Sequence, residues 1–349
     1  MIKEKIINEI KNKKNCINLE KFIDICLFSQ EGYYYNNLPI GKSGDFITAP
    51  EISQLFGEIL GLYILENWKK KYSCNINLVE LGPGNGTLID DILRITENKY
   101  NFHDSININL IEINKKLLSL QKKRLLKKQY NNIVFNWHND FSKIQSVPSI
   151  IIANEFFDCF PVRHFISKNE VWYEKMIKYN FNEMKFYYEN LPVENNKLLF
   201  KIKNYNSSKI LELSEKREDY FDRICKFINH SEGTIIVIDY GYYDHPDSFT
   251  LQAMYNHRYS NLLDNAGKQD ITSLVDFKSL IAIAENNNLK IDKFCNQKDF
   301  LIDNGIIHLK NKIFENCNKK QQDNLENGYK RLVDENGMGE NFKFLIVSK

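Results

Sequence analysis

Apolar residues recur at helical spacing through the first part of the chain. From Met1 to about Leu27 the pattern begins with Ile2, Ile6, Ile7 and Ile10, intervals that predict helix. A second apolar face carries Ile52, Leu55, Phe56, Ile59, Leu62 and Tyr63 and ends near Trp68-Lys69-Lys70. Thr48 and Glu51 stand before it at capping-box spacing, with Pro50 in the first turn, where a missing N–H costs nothing. Beyond residue 75 the period changes. Short apolar or alternating runs begin at Ile76, Ile106, Ile133, Ser149 and Thr234, and helical stretches such as Leu88–Ile95 and the Asn114-capped run after it separate several of them. Strand and helix in alternation predict a parallel sheet. The fourth run, Ser149–Ala153, is apolar throughout, as a central strand covered on both faces should be.

Two stretches depart from this rhythm. Phe165 to about Phe200 alternates and is rich in aromatics, which predicts antiparallel hairpins inserted into the α/β frame. Tyr240 to Thr272 shows little periodicity, and a loop of that length inside a compact domain is expected to be functional, such as a lid. Leu213–Ile228 reads as a charged helix between them. Toward the end, Asp276 should cap a helix over Phe277–Glu285, Lys290–Phe294 and Phe342–Val347 read as strands, and Lys310 to about Val333 as one helix. The organisation expected is an N-terminal helical extension over residues 1–74, including a glycine-punctuated loop at 41–51. It is followed by one α/β domain over 75–349 with insertions at about 165–210 and 240–272.

Composition changes this picture little. The 349 residues are 43% hydrophobic and 26% charged, ample for a core. Lys+Arg 47 against Asp+Glu 45 leaves a formal charge of +2, with no general pull toward nucleic acid or an anionic membrane. The basic run from Lys115 to Lys128 reads as a solvated helix face. Seven scattered cysteines, none in C-x-x-C spacing, and histidines in no ligand set argue for reduced thiols and against a metal site. No apolar run approaches the roughly 18–20 residues of a membrane span. Met1–Lys14 contains Glu4 and Glu9 and no arginine, unlike a transit peptide, so the expectation is an unprocessed cytoplasmic protein.

The chemistry concentrates at strand ends. The first strand runs through Glu80 into Gly82-Pro83-Gly84-Asn85-Gly86-Thr87, where a helix opens. Strand, glycine turn and helix start together form the unit that holds a nucleotide-like cofactor against backbone. Dinucleotide sites usually read G-x-G-x-x-G, whereas these glycines alternate. S-adenosylmethionine has no pyrophosphate. It asks for close backbone approach, an acid near its amino group and an acid on its ribose. Glu80 and Glu112 stand at those two points, and Asp140-Phe141 follows the third strand, where adenine would lie. The pattern favours a methyltransferase over a nicotinamide-dependent dehydrogenase, which remains the alternative on the same frame.

Further segments carry a more specific resemblance. Gly44-Asp45-Phe46-Ile47-Thr48-Ala49-Pro50-Glu51, Val79-Glu80-Leu81-Gly82-Pro83-Gly84, Asn154-Glu155-Phe156-Phe157-Asp158 and Asp239-Tyr240-Gly241 resemble the MidA-like family of class I methyltransferases, over nearly the whole chain. The resemblance implies a Rossmann-like, seven-stranded, mostly parallel sheet and S-adenosylmethionine as donor. It also implies methylation of arginine guanidinium nitrogens, symmetrically in the mitochondrial relatives, which assist assembly of respiratory complex I. The implied partner is a protein substrate such as a complex I subunit, with a homodimer kept open. Asn85, Ala266 and Leu274 depart from the family's usual arginine, proline and histidine. Leu274 motivates a second reading, a cofactor-binding assembly chaperone with little turnover. Glu155 and Asp158 are the candidate catalytic carboxylates, which could align a guanidinium by paired hydrogen bonds, with Asn154 as polar anchor. Asp45 and Glu51 are expected to close over the cofactor, with Asp45 and Thr48 among the residues that bind it.

Overall fold

The computed structural model describes residues 1–36, 48–128, 130, 132–204 and 209–349. Asp45, expected at the cofactor, lies outside the described residues. The chain divides into two compact units. The first comprises Met1–Pro39, Asp158–Tyr220 and Asp244–Leu274, and the second Ile40–Phe157, Phe221–Tyr243 and Val275–Lys349.

The second unit is built on a mixed sheet. Its strands are β1 (Ile76–Leu81), β2 (Ile106–Ile111), β3 (Val134–His138), β4 (Ser149–Asn154), β5 (Gly233–Tyr242), β6 (Val275–Asp276), β7 (Lys290–Asn296) and β8 (Phe342–Ser348). Seven lie in one row, ordered β7-β8-β5-β4-β1-β2-β3, and β6 pairs beside β5. The sheet thus has eight strands among the described residues where seven were expected. The extra strand is a two-residue pairing to Gly241 and Tyr242, too short for a periodicity to reveal. β3, β2, β1, β4 and β5 are parallel, and β8 runs antiparallel to β5 and β7. β1 and β4 are buried at every position, which is why their sequences are apolar on both faces.

The helix predicted to start at Thr48 is two helices, Ala49–Ile52 and Gln54–Lys71, broken at Ser53, whose hydroxyl accepts from Leu55 N–H at 3.3 Å. Thr48 is the N-cap of the first, but its side chain makes no capping bond. Gln54–Lys71 packs tightly on the helix Thr87–Thr96 because Gly57 and Gly61 face it. A Cβ on Gly57 would stand 2.5 Å from the Asp91 Cβ, and one on Gly61 2.7 Å from the Ile95 Cγ2. The long C-terminal helix is also divided, into Ile306–Phe314 and Lys319–Val333, with Asn318 and Gln321 forming the capping box of the second.

The first unit holds the helices Ile2–Asn12 and Leu19–Phe28, a five-stranded sheet and a three-stranded sheet. Val171–Asn180 pairs with Lys185–Pro192 as the predicted hairpin. From Asp244 on, the segment expected to be a lid belongs to this unit, and part of it lies in the unit's core. It forms the strands Gln252–Tyr255, Arg258–Tyr259 and Asp270–Thr272. Its Ala253, Leu262, Leu263 and Ile271 are buried in one cluster with Ile6, Ile10 and Phe22. The buried Gln269 amide also donates to the Leu262 carbonyl at 2.7 Å. Burying each large apolar side chain contributes about 1.5–3 kcal/mol, so this segment is anchored. Among the described residues no helix is long and apolar enough to cross a membrane.

Candidate active site

At the C-terminal ends of the parallel strands, β1 delivers Glu80 into the interior. The carboxylate is 3% exposed, and its Oε2 has no hydrogen-bond partner among the described residues. Burial, and secondarily the charge of Glu112, push its pKa up to about 8. The chain then turns through Gly82, Gly84 and Gly86, with φ of +62°, +53° and +74°. L side chains rarely adopt such values, and the turn therefore needs glycine. Gly82 is exposed, so its backbone is open to a ligand, and a Cβ there would stand 3.1 Å from the Phe156 ring. Pro83 is buried beneath the turn, and its carbonyl accepts from Gly86 N–H at 2.7 Å.

The buried Glu112 follows directly on β2. Its Oε1 accepts from Asn114 N–H at 2.7 Å and its Oε2 from Gln121 Nε2 at 3.0 Å. Burial outweighs these bonds and raises its pKa to about 7. Gln121 is the residue that sequence reasoning missed. Its amide also donates to the Gly84 carbonyl at 2.8 Å, and its Oε1 accepts from Trp137 Nε1 at 3.1 Å. One fully buried side chain thus ties the glycine turn, the β2 acid and β3 together. The signal was present: Leu117, Gln121 and Leu125 form the buried stripe of the helix Lys115–Lys127, and a glutamine in an apolar stripe has a polar task. Gln121→Leu should keep the fold's volume but free the Gly84 and Glu112 oxygens. We expect S-adenosylmethionine affinity to fall about tenfold, read by calorimetry, at a cost of roughly 1–2 kcal/mol per lost buried bond.

After β3, Asp140 is exposed and caps the short turn Phe141–Lys143 by accepting from Ser142 N–H at 2.8 Å. Those hydrogen bonds from Ser142 hold its carboxyl below the usual range. Phe141 is buried with its ring edge-on to Phe227, centroids 5.1 Å apart. β4 ends at Asn154, whose buried Oδ1 also has no partner among the described residues. Glu155 follows with φ +48°, an uncommon value for glutamate, and its N–H is tied to the Ile238 carbonyl at 2.8 Å. Asp239, fully buried on β5, accepts from Phe157 N–H at 2.9 Å and so fixes the segment beyond Glu155.

Residues 48–52 join these two edges. Glu155 Oε1 accepts from Ala49 N–H at 3.0 Å. Glu51 accepts from Asn85 Nδ2 at 3.2 Å and from the Thr87 hydroxyl, which in turn accepts from Arg124. Glu51 is therefore a clasp on the glycine turn, and the expected capping box is absent because its carboxylate is spent there. The Thr87 hydroxyl, counted among the cofactor ligands, is engaged in this clasp. Gly86, in the left-handed region, is the cap of that helix. Thr48 is buried. Asp158 belongs to the first unit, where its carbonyl accepts from Ser273 N–H at 2.9 Å. There Tyr34 donates to Asp270 at 2.8 Å, and burial, Asp270, Cys159 and Asp158 together push its phenol well above its ordinary value.

A parallel sheet edge with a glycine turn, an acid on each of two strands and two buried acceptor oxygens lacking donors defines a site for an adenosine cofactor that carries an ammonium group. A Burkholderia thailandensis protein crystallised with S-adenosyl-homocysteine has the same fold, with TM-score 0.87 at 20% identity over 100% of this chain and 92% of that one. A native structure of a Burkholderia thailandensis protein gives TM-score 0.85 at 21% identity, over 100% and 91%. The family described as "Putative S-adenosyl-L-methionine-dependent methyltransferase" matches residues 59–295, more than half of the chain, and the chain belongs to that family. It is a methyltransferase with S-adenosylmethionine as its cofactor. Among curated relatives, "Protein arginine methyltransferase NDUFAF7, mitochondrial" of Danio rerio is 28% identical over 90% of this chain and 79% of its own length. The Homo sapiens protein of that name is 29% identical over 91% and 76%. The residues present fit the cofactor. Glu80 Oε2 and Asn154 Oδ1 await donors, Gly82 offers open backbone, and Glu112 keeps acceptor capacity beyond its two bonds.

Proposed function

We propose that the chain methylates arginine guanidinium groups of a protein. The finer form of this reading is symmetric dimethylation of a respiratory complex I subunit that aids assembly of the complex. The observation that carries it is the extent of the likeness: relatives named protein arginine methyltransferase align over about nine tenths of the chain, through residues of both units. The strand order, with five parallel strands and one antiparallel strand between β5 and β7, supports the Rossmann-like class I form of the fold.

S-adenosylmethionine supplies a methyl group on a sulfonium, open to in-line attack by a nitrogen. Arginine is protonated at neutral pH and its charge is delocalised, so the site must align one nitrogen and draw positive charge toward the others. Glu155, held at the end of β4 by Ile238 and Ala49, is the carboxylate suited to that task. Asn154 Nδ2, 3.4 Å from Glu155 Oε1, steadies it. Asp158, of the first unit, is the second candidate. Incubation with labelled S-adenosylmethionine and candidate protein acceptors, followed by mass spectrometry, should find methylarginine. Label on another residue type, or tight donor binding with no transfer to any acceptor, would sink the reading.

One observation favours the second reading. Leu274 offers only backbone bonds, its N–H to Thr250 and its carbonyl to Arg217, and its side chain brings no proton acceptor. An assembly protein that binds the donor without turnover would be unaffected in cells by loss of the Glu155 charge.

A further inference from the structure

The helix Lys115–Lys127 and the turn at Asn85–Thr87 enclose an open groove of about 650 Å³. Its lining includes Leu120, Lys123, Arg124, Lys127 and Lys128, which recur at three- and four-residue spacing and so form one face of the helical run. Among the described residues one carboxylate, Asp90, lines the groove, and it is paired with Lys128 at 2.8 Å. Arg124 is bound to the Thr87 hydroxyl. Lys123 and Lys127 are exposed, and neither has a carboxylate within ion-pair distance among the described residues. No acidic residue occurs from Lys115 to Lys128, so the run's own charges do not neutralise one another. A face of this kind on a chain of net charge +2 is a local concentration of positive charge, not a general one.

We propose that this groove docks an acidic, extended segment of the protein acceptor. The inference rests on the acceptor being a protein. The pairs Lys123–Arg124 and Lys127–Lys128 lie four residues apart, about 6 Å along a helix axis. Alternate side chains of an extended peptide on one face repeat at about 6.6 Å, so carboxylates at every second position match the two pairs. Leu120, 40% exposed, gives the groove an apolar floor at one end. Single-stranded nucleic acid sites combine positive charge with aromatic platforms, and among the described residues no aromatic lines this groove, which favours peptide. Asn85 and Thr87 form its wall and belong to the cofactor turn, so a segment docked here lies against that turn.

The test uses the full chain, a fluorescent peptide of alternating Glu and Ser, and the double variant Lys123→Glu/Lys127→Glu. Anisotropy should show binding to the parent chain that weakens with added salt and is at least about tenfold weaker in the variant. Because both lysines are exposed, the melting temperature should not move, and S-adenosylmethionine affinity by calorimetry should stay within twofold. Equal peptide affinity for parent and variant would overturn the proposal. So would an oligouridylate that binds the parent chain more tightly than the peptide and is the ligand the variant loses. The readout requires no methyl transfer, which keeps it apart from the arginine assay. If acceptor proteins are methylated with the same KM in parent and variant, docking fails while the methylation reading stands. If the peptide binds as expected and no methylarginine forms, the methylation reading fails alone.

Discussion

Glu80→Gln is expected to bind S-adenosylmethionine about a hundredfold more weakly than the parent chain, yet to melt at a higher temperature without ligand. Both effects come from one buried carboxylate. Its Oε2 has no donor among the described residues, so in the carboxylate form the free protein holds an uncompensated acceptor that an ammonium group would satisfy. Removing one partner of such a buried pair costs about 2–5 kcal/mol, which contains the hundredfold loss. The stability effect has the opposite sign. Burial and Glu112 raise the Glu80 pKa to about 8, above the ordinary 4.5. Between those values the native chain retains a proton that the unfolded chain has released. Stability therefore falls as pH rises through that window, by up to a few kcal/mol at pH 8. Glu112, raised to about 7, adds to the same trend. A neutral glutamine removes the Glu80 part. Scanning fluorimetry of the ligand-free protein should show the variant's advantage growing from pH 5 to pH 8. Cofactor affinity of the parent chain should rise with pH across that range, since the carboxylate form is the one that binds and its pKa is about 8. Unchanged calorimetric affinity in the variant would remove Glu80 from the cofactor site.

Glu155→Gln should slow methyl transfer by about a hundredfold or more, while leaving S-adenosylmethionine affinity within about threefold. The substitution preserves what Glu155 does for the fold. Its Oε1 accepts from Ala49 N–H, and a glutamine carbonyl can accept the same bond. What disappears is the negative charge that would draw the positive guanidinium into line. Glu155→Ala should behave differently, losing the Ala49 bond as well and loosening residues 49–52, which also clasp the glycine turn through Glu51. Initial rates at saturating donor, with affinity measured in parallel, separate the two variants. Parent-level turnover in Glu155→Gln would move the catalytic task to another residue.

Much of the second unit could be read from the chain because its local signals agree. β1 and β4 are mostly apolar and buried on both faces, and Asn114 and Asp276 cap the helices they precede. The glycine turn and both strand-end acids stand where their order along the chain put them. What could not be read depends on residues distant in sequence. The bond of Glu51 to Asn85 and Thr87 spans more than thirty positions and competes with an equally plausible local cap. Gln121 is conspicuous only once Leu117 and Leu125 are known to be buried. The segment after Asp239 lacks periodicity because its strands are two to four residues long and its apolar residues are spaced by a packing partner, not by its own backbone. Length without pattern suggested a lid, and burial of Leu262, Leu263 and Ile271 decided otherwise.

That core has a consequence for the order in which the protein can be made. Ile6, Ile10 and Phe22 are translated roughly 240 residues ahead of Leu262, Leu263 and Ile271, with which they share a buried cluster. During synthesis the amphipathic helices Ile2–Asn12 and Leu19–Phe28 must wait, with their apolar stripes uncovered, until roughly 240 further residues have emerged. At about 5–20 residues per second this exposure lasts on the order of ten seconds or more. This nascent helical pair is therefore a natural client for a holding chaperone, and the last of its core partners to be translated sets when it can be released.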